Sequence, residues 1–267
     1  MKDTILGMAD YPSLEGSLDD FLNFASKLRI RVLELKLDRL ELLLALSKTD
    51  KLLEIKNLSN SYDFRYFVHA PNIDTNLASV NPLLRRASKK TVLKTAIFAA
   101  ELDAELLVSH VGRLSRDYPQ KLVGKAMKNA IGSLRRINQV SNDLGMVFAI
   151  ENDHKSSDYV LAGYPEQINF LVENVGCKLT FDIGHANTIG KIEDFTKLLD
   201  KFIVDVHLHD NNGREDEHSP IGKGSIDFVG LFGRMKDWRS EKPLIIECHS
   251  FAGLKESIDF VRQELLR

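Results

Sequence analysis

Short apolar runs rich in Val, Ile, Leu and Phe recur at about 4–8, 30–35, 65–69, 105–110, 146–151, 178–182, 202–207 and 243–247. Each run is continuous rather than alternating, the pattern of a strand covered on both faces. Between them lie stretches with a helical period, at about 17–28, 39–57, 79–102, 119–143, 164–175, 192–199, 226–236 and 254–265. Eight strands alternating with eight helices predict an α/β fold of the (β/α)8 barrel type. Local signals agree: Ser17 followed by Asp20 can cap the first helix, and Pro165 suits the first turn of another. An open, doubly wound sheet is the alternative. It needs a Gly-rich phosphate turn after the first strand, and GMADYPSLEG lacks the GxGxxG spacing.

The 267 residues suffice for one barrel, and no Pro/Gly/Ser linker or low-complexity tract divides them, so residues 1–267 read as one domain. The opening MKDTILGMADYPSLEG has too short an apolar stretch for a signal peptide, and no later segment has the unbroken apolar length to cross a bilayer. A cytoplasmic protein with no membrane partner is expected. Cys177 starts one strand and Cys248 ends another, so the two should lie at opposite barrel ends as unpaired thiols. A formal charge of −2 gives no global attraction to phosphate backbones. Two basic faces, one with Arg85, Arg86, Lys89 and Lys90 and one with Lys121, Lys125 and Lys128, read as solvated helix surface.

The candidate chemistry sits at the ends of the strands. RYFVH ends at His69, ELLVSH at His110, VFAIE at Glu151, KLTFD at Asp182, FIVDVH at His207 and PLIIE at Glu247, with 41 residues from His69 to His110 and 41 more to Glu151. In a barrel, side chains at the carboxyl ends of strands converge on one rim. With His185, Asp216 and His218, nine metal-capable groups would share it. Glu151, Asp182 and Glu247 would repel one another there unless cations compensated them. A single strand-end histidine is more often a hydrogen-bonded structural group than a ligand, and a single acid there can simply bond a loop amide; together, imidazoles with carboxylates suit zinc, manganese or another first-row divalent ion.

This pattern resembles endonuclease IV (AP endonuclease family 2) within the xylose-isomerase-like barrel superfamily, which also includes sugar isomerases and epimerases. The most specific piece is VHLHDNNGREDEHSPIGKGSIDF, where His207-Leu208-His209-Asp210, Asp216-Glu217-His218 and Gly222-Lys223-Gly224 match that family's motif positions. The resemblance implies up to three divalent ions, zinc first and manganese as the other candidate. His69, His110 and Glu151 would hold one; Glu151, Asp182, His207 and Glu247 a second; His185, Asp216 and His218 a third. Glu151 would bridge. His207 and His209 have the same strand parity, so either can ligate, and the endonuclease-like register favours His207. Asn152, His154, Asp210 and His249 are either partners of ligands or substrate, or local loop groups.

Two reactions follow from the resemblance. The first is phosphoester or phosphodiester hydrolysis on a phosphorylated substrate, with abasic DNA as the family's own. Here, however, Asn72 stands where that family places Tyr, and only Arg39 lies near the segment after strand two. The second is isomerisation or epimerisation of a small sugar, with Glu151, Asp182, His207 and Glu247 as the metal set. In that reading Glu151 and Glu247 are the catalytic pair that moves a proton. Glu34, Asn72, His209 and Arg214 are the expected substrate contacts.

Overall fold

The computed structural model describes residues 5–235 and 242–266, so residue 4 of the first expected strand and residue 236 of the seventh expected helix lie outside the described residues. Eight strands close a parallel barrel: β1 (Leu6–Asp10), β2 (Val32–Lys36), β3 (Arg65–His69), β4 (Leu106–Ser109), β6 (Val147–Glu151), β8 (Lys178–Asp182), β9 (Ile203–Leu208) and β10 (Leu244–Ile246). Spatial order follows chain order, with β1 closing on β10. Closure excludes the open doubly wound sheet.

Helices α1 (Leu18–Lys27), α4 (Pro82–Glu101), α5 (Val123–Asp143), α6 (Pro165–Val175), α8 (Ile192–Leu199), α9 (Phe228–Arg234) and α10 (Phe251–Phe260) occupy the expected intervals. Ser17 caps α1 through a reciprocal bond pair with Asp20. The expected helix at 39–57 is two, α2 (Leu40–Ala45) and α3 (Thr49–Ser59). Between them Ser47 Oγ bonds the Leu44 carbonyl and Lys48 is extended, so a side chain competes for the backbone bonds that a continuous helix needs. Three short elements at the top of the barrel have no counterpart in the sequence reading. They are α7 (Ile183–Thr188) and a two-stranded antiparallel ribbon of β5 (Arg113–Leu114) with β7 (Tyr159–Val160).

Strand parity decides what faces where. Leu33, Leu35, Tyr66, Val68, Phe148, Ile150, Leu179, Phe181, Val206, Leu208, Leu244 and Ile246 point outward and pack under the helices. Residues of opposite parity plug the barrel with a smaller cluster of Ala9, Val32, Phe67, Leu106, Val108, Ala149 and Ile245. One step further along the same inward parity lie His69, His110, Glu151 and Glu247, so the apolar plug is the floor on which the polar rim stands. Gly7 belongs to this interior: a Cβ there would press against the Val32 carbonyl and the Ile245 side chain.

Asp10 and Arg39 lock the first two βα units. The Arg39 guanidinium donates to both Asp10 oxygens and, through Nη1, to the Gly16 carbonyl, and both side chains are buried. Arg39 is therefore folded into the barrel top rather than presented to a partner.

Among the described residues, no helix is long and apolar enough to cross a membrane. Both cysteines are free and buried. Burial pushes the Cys177 thiol up to about 12 and the Cys248 thiol up to about 11. A thiolate is the reactive species, so neither should react appreciably with iodoacetamide at pH 8 in the folded protein, and both should react in denaturant. Fast labelling of either native thiol, read by mass spectrometry, would contradict this packing.

Candidate metal centre

Inward strand parity, together with α7 and the loop after β9, brings all nine strand-end and loop candidates, with His209, to the carboxyl end of the barrel. That end opens through a cavity of about 250 Å³ lined by Tyr11, Lys36, His69, Asn72, His110, Glu151, His154, His185, Asp216, His218 and Glu247, among others.

Glu151 occupies the middle. Its Oε2 lies 2.9 Å from both His69 Nε2 and His110 Nε2, while Oε1 lies 3.2 Å from His207 Nδ1 and 3.7 Å from His185 Nδ1. The same His207 Nδ1 is 3.2 Å from Glu247 Oε1 and 4.0 Å from Asp182 Oδ2. Two atoms that each bind one zinc ion at about 2.0–2.2 Å can be at most about 4.4 Å apart. The spacings around His207 fall within that limit.

Hydrogen bonds fix which nitrogen faces inward. A carbonyl oxygen can only accept, so His69 donates through Nδ1 to the Ala70 carbonyl and leaves Nε2 toward Glu151. His185 donates through Nδ1 to the Asn152 carbonyl, which leaves Nε2 toward Asp216. His207 is oriented from behind. Its Nε2 faces Glu34 Oε2 at 3.1 Å and Asp205 Oδ2 at 3.5 Å, and Asp205 in turn accepts from Thr180 Oγ1. A carboxylate behind a histidine is the arrangement that orients and strengthens a metal-binding imidazole.

The second focus is the loop after β9. Asp216 Oδ2 lies 3.2 Å from His185 Nε2 and 3.3 Å from His218 Nε2, and Oδ1 lies 3.4 Å from His209 Nε2. One ligand atom from each of His185, His209, Asp216 and His218 falls within 4.8 Å of the others, and four further groupings of this kind involve Glu34, His69, His110, Glu151, Asp182, Asp205, His207 and Glu247.

Electrostatics make the chamber expensive without cations. Burial opposes charge on Glu151, yet His110 and His207 hold its carboxyl well below the usual carboxylate range. Burial likewise opposes Glu247, and Lys36, His207 and His218 reverse it. For His207, burial is outweighed by Glu34, Glu247 and Glu151, which raise it well above the ordinary imidazole value. His218 goes the other way, pushed down to about 4 by burial and by neighbouring His209. Several buried polar atoms lack a hydrogen-bond partner: Asp182 Oδ2, Glu247 Oε2, Asp216 Oδ1, His218 Nδ1 and both nitrogens of His209. Such atoms are rare in folded chains, and their convergence suits divalent cations.

Not every expected contact reaches the cavity. Asn72 lines it, Arg214 is exposed on the loop, and Glu34 is fully buried behind His207. His209 is also fully buried, beneath Asp216 and His218 rather than at the cavity wall. Asn152 clamps the Asp182 backbone with both side-chain atoms, and Asp210 accepts from Asn211, Gly222 and Ile226, so these two organise the rim. Sequence reasoning missed Tyr11, Lys36 and Asp205. Lys36 is buried with its Nζ 2.5 Å from Glu247 Oε1 and its charge 5.1 Å from the Tyr11 ring. The alternation in VLELK puts it on the same face as Glu34, which was the available signal.

The fold and this chamber define a metal-binding (β/α)8-barrel enzyme of the group that includes sugar epimerases and endonuclease IV. The chain belongs to the xylose isomerase-like TIM barrel family, whose model matches residues 22–264. It is 36% identical over 211 residues to the uncharacterized protein MJ1614 of Methanocaldococcus jannaschii, covering 79% of this chain and 81% of that one. It is 28% identical over 199 residues to a probable endonuclease 4 of Aquifex aeolicus, covering 67% and 69%. Among solved structures it is similar to a D-tagatose 3-epimerase-like protein, with TM-score 0.86 and 27% identity over 97% of this chain and 96% of the other.

The position of Glu34 behind His207 yields a prediction. Glu34→Gln should weaken divalent-metal affinity by roughly 10- to 100-fold, measured by calorimetric titration of chelator-stripped protein. Unchanged affinity would leave Glu34 without an orienting role.

Proposed function

We propose that this chain is a divalent-metal-dependent isomerase or epimerase of a small sugar or related hydroxy-carbonyl compound. The observation that carries the reading is the pairing of Glu151 and Glu247. Each carboxylate reaches within 3.2 Å of His207 Nδ1, and both line the same small cavity. Its volume of about 250 Å³ lies just under the roughly 300–1,000 Å³ of drug-sized ligand sites, which suits a monosaccharide. The likeness to the D-tagatose 3-epimerase-like protein supports the same class, and the burial of Arg39 removes a group that could probe a duplex.

In this reading Glu151, Asp182, His207 and Glu247 hold the ion, manganese or zinc. When bound, it supplies the positive charge that polarises a substrate carbonyl and acidifies the neighbouring C–H. One of the two glutamates takes that proton and the other returns a proton to the opposite face or the adjacent carbon. Glu34 and Asp205 keep His207 Nδ1 aimed at the centre. Asn72, Tyr11 and His185 line the space that sugar hydroxyls would occupy.

Incubation of metal-loaded protein with a panel of ketopentoses and ketohexoses in D2O should incorporate deuterium at the carbon beside the carbonyl and yield the isomeric sugar. Glu247→Gln or Glu151→Gln should slow this by about 10²- to 10⁴-fold. No exchange with any ketose would sink the proposal.

A second reading, phosphoester hydrolysis on up to three zinc ions with abasic DNA or a smaller phosphorylated substrate, draws on one observation. The two oxygens of Glu151 face different imidazole groups, as a carboxylate shared by two ions would. The relatives named probable endonuclease 4 support it. Zinc-dependent cleavage of bis(p-nitrophenyl) phosphate or of an abasic duplex, without ketose exchange, is its signature.

A further inference from the structure

We infer that the amino end of the barrel, opposite the metal chamber, carries a binding site for a small phosphate-bearing anion, formed by Arg29, Arg31, Arg65 and Arg262. The inference does not depend on which reaction the chain catalyses.

The observation that carries it is a concavity of about 430 Å³ lined by these four arginines with Ile5, Leu6 and Leu266, and by no acidic residue among the described ones. Arg29 follows α1, Arg31 precedes β2, Arg65 opens β3, and Arg262 lies in the π-helical turn Val261–Leu265 after α10. No helical or strand period gathers them. Barrel closure does, because β1, β2 and β3 are neighbours and begin at this end. Ile30 is buried in the core, so Arg29 and Arg31 on either side of it emerge on the surface.

Neutralisation of these charges is incomplete. Arg65 donates two bonds to the Glu105 carboxylate, at 2.7 and 2.6 Å. Arg262 Nη2 instead donates to an uncharged acceptor, the Leu28 carbonyl, at 2.6 Å. Arg29 and Arg31 have no carboxylate partner among the described residues. Elsewhere on the surface, exposed cations do pair with acids, as in Lys51–Glu54, Lys56–Glu101, Lys191–Asp194 and Lys255–Asp259. Like charges left facing one recess repel, and a bound dianion relieves that repulsion.

The backbone at this point also favours another residue. Arg29 has φ +53° just beyond the end of α1, a left-handed position that glycine adopts without strain. An arginine there keeps a cation beside the recess at that cost. Arg262 holds the same turn through the Leu28 carbonyl, so the two side chains are tied to one bend.

The chemistry of the lining selects the ligand. A guanidinium is a planar fork that can bond two phosphate oxygens at once. The forks of Arg65 and Arg262 are already oriented by their protein acceptors, while those of Arg29 and Arg31 are on exposed side chains able to close on a ligand. Ile5, Leu6 and Leu266 give an apolar floor beside them. The volume lies within the roughly 300–1,000 Å³ of small-molecule sites, which suits a phosphate ester with an organic body of nucleotide size.

The test reads binding rather than activity. Inorganic phosphate and AMP are titrated by calorimetry into metal-loaded protein at about 0.1 M salt, where charges more than roughly 10 Å apart are screened. Each should bind in a single saturable step. Tighter binding of AMP identifies a phosphate ester that uses the apolar floor, and equal binding identifies the phosphoryl group alone; both support the site. Arg29→Gly, which suits the left-handed backbone, and Arg31→Gln should each weaken binding about tenfold or more, with folding checked by circular dichroism. Glu247→Gln should leave it unchanged, which separates this site from phosphate held at the metal centre. Absence of saturable binding, unchanged affinity in both folded arginine variants, or loss in Glu247→Gln alone overturns the inference. So does retention of duplex DNA through the same arginines while neither small anion binds, which would make the recess part of a nucleic-acid surface.

Discussion

Carboxylates packed into one buried chamber cannot all stay ionised unless positive charge is packed in with them. Glu151, Asp182 and Glu247 are buried at the barrel mouth, with Glu34 and Asp205 directly behind. Among the described residues the compensating charge comes from imidazoles and from Lys36, whose ammonium stays charged although burial opposes it, because Glu247, Glu151 and Glu34 surround it. Glu151 divides its two oxygens between separate imidazole groups, and Glu247 turns Oε1 to the Lys36 ammonium. The same need explains why His69, His185 and His207 each spend one nitrogen on a fixed acceptor and turn the other inward.

Most of this was legible in the sequence because a barrel strand has only two faces. Runs such as RYFVH and VFAIE combine outward aliphatics with an inward plug residue and end on an inward polar group, so parity alone assigns His69 and Glu151 to the mouth. Depth was not legible. His207 and His209 share a face, yet the first sits against Glu34 and Glu151 and the second lies under the loop carrying Asp216 and His218. Strand parity in VHLHD does not distinguish the two; only the family register favoured His207. The β5–β7 ribbon escaped because two-residue strands carry no period, and the break between α2 and α3 escaped because Ser47 and Lys48 are neither Gly nor Pro.

Function follows from the chamber rather than the barrel, since this architecture hosts many reactions. A small cavity, paired glutamates and an arginine folded onto Asp10 favour sugar chemistry in the proposed reading. The surplus of ligands favoured hydrolysis when counted from sequence, where every ligand looks equally able to face substrate.

The central claim, that the carboxylates at the barrel mouth are arranged around a divalent ion, is tested most directly by anomalous diffraction. Crystals of protein purified without chelator would be measured at the zinc and manganese edges. The account predicts a peak bounded by Glu151, Asp182, His207 and Glu247. No peak there even after soaking in either metal, with Lys36 still paired to Glu247 in the electron density, would contradict it.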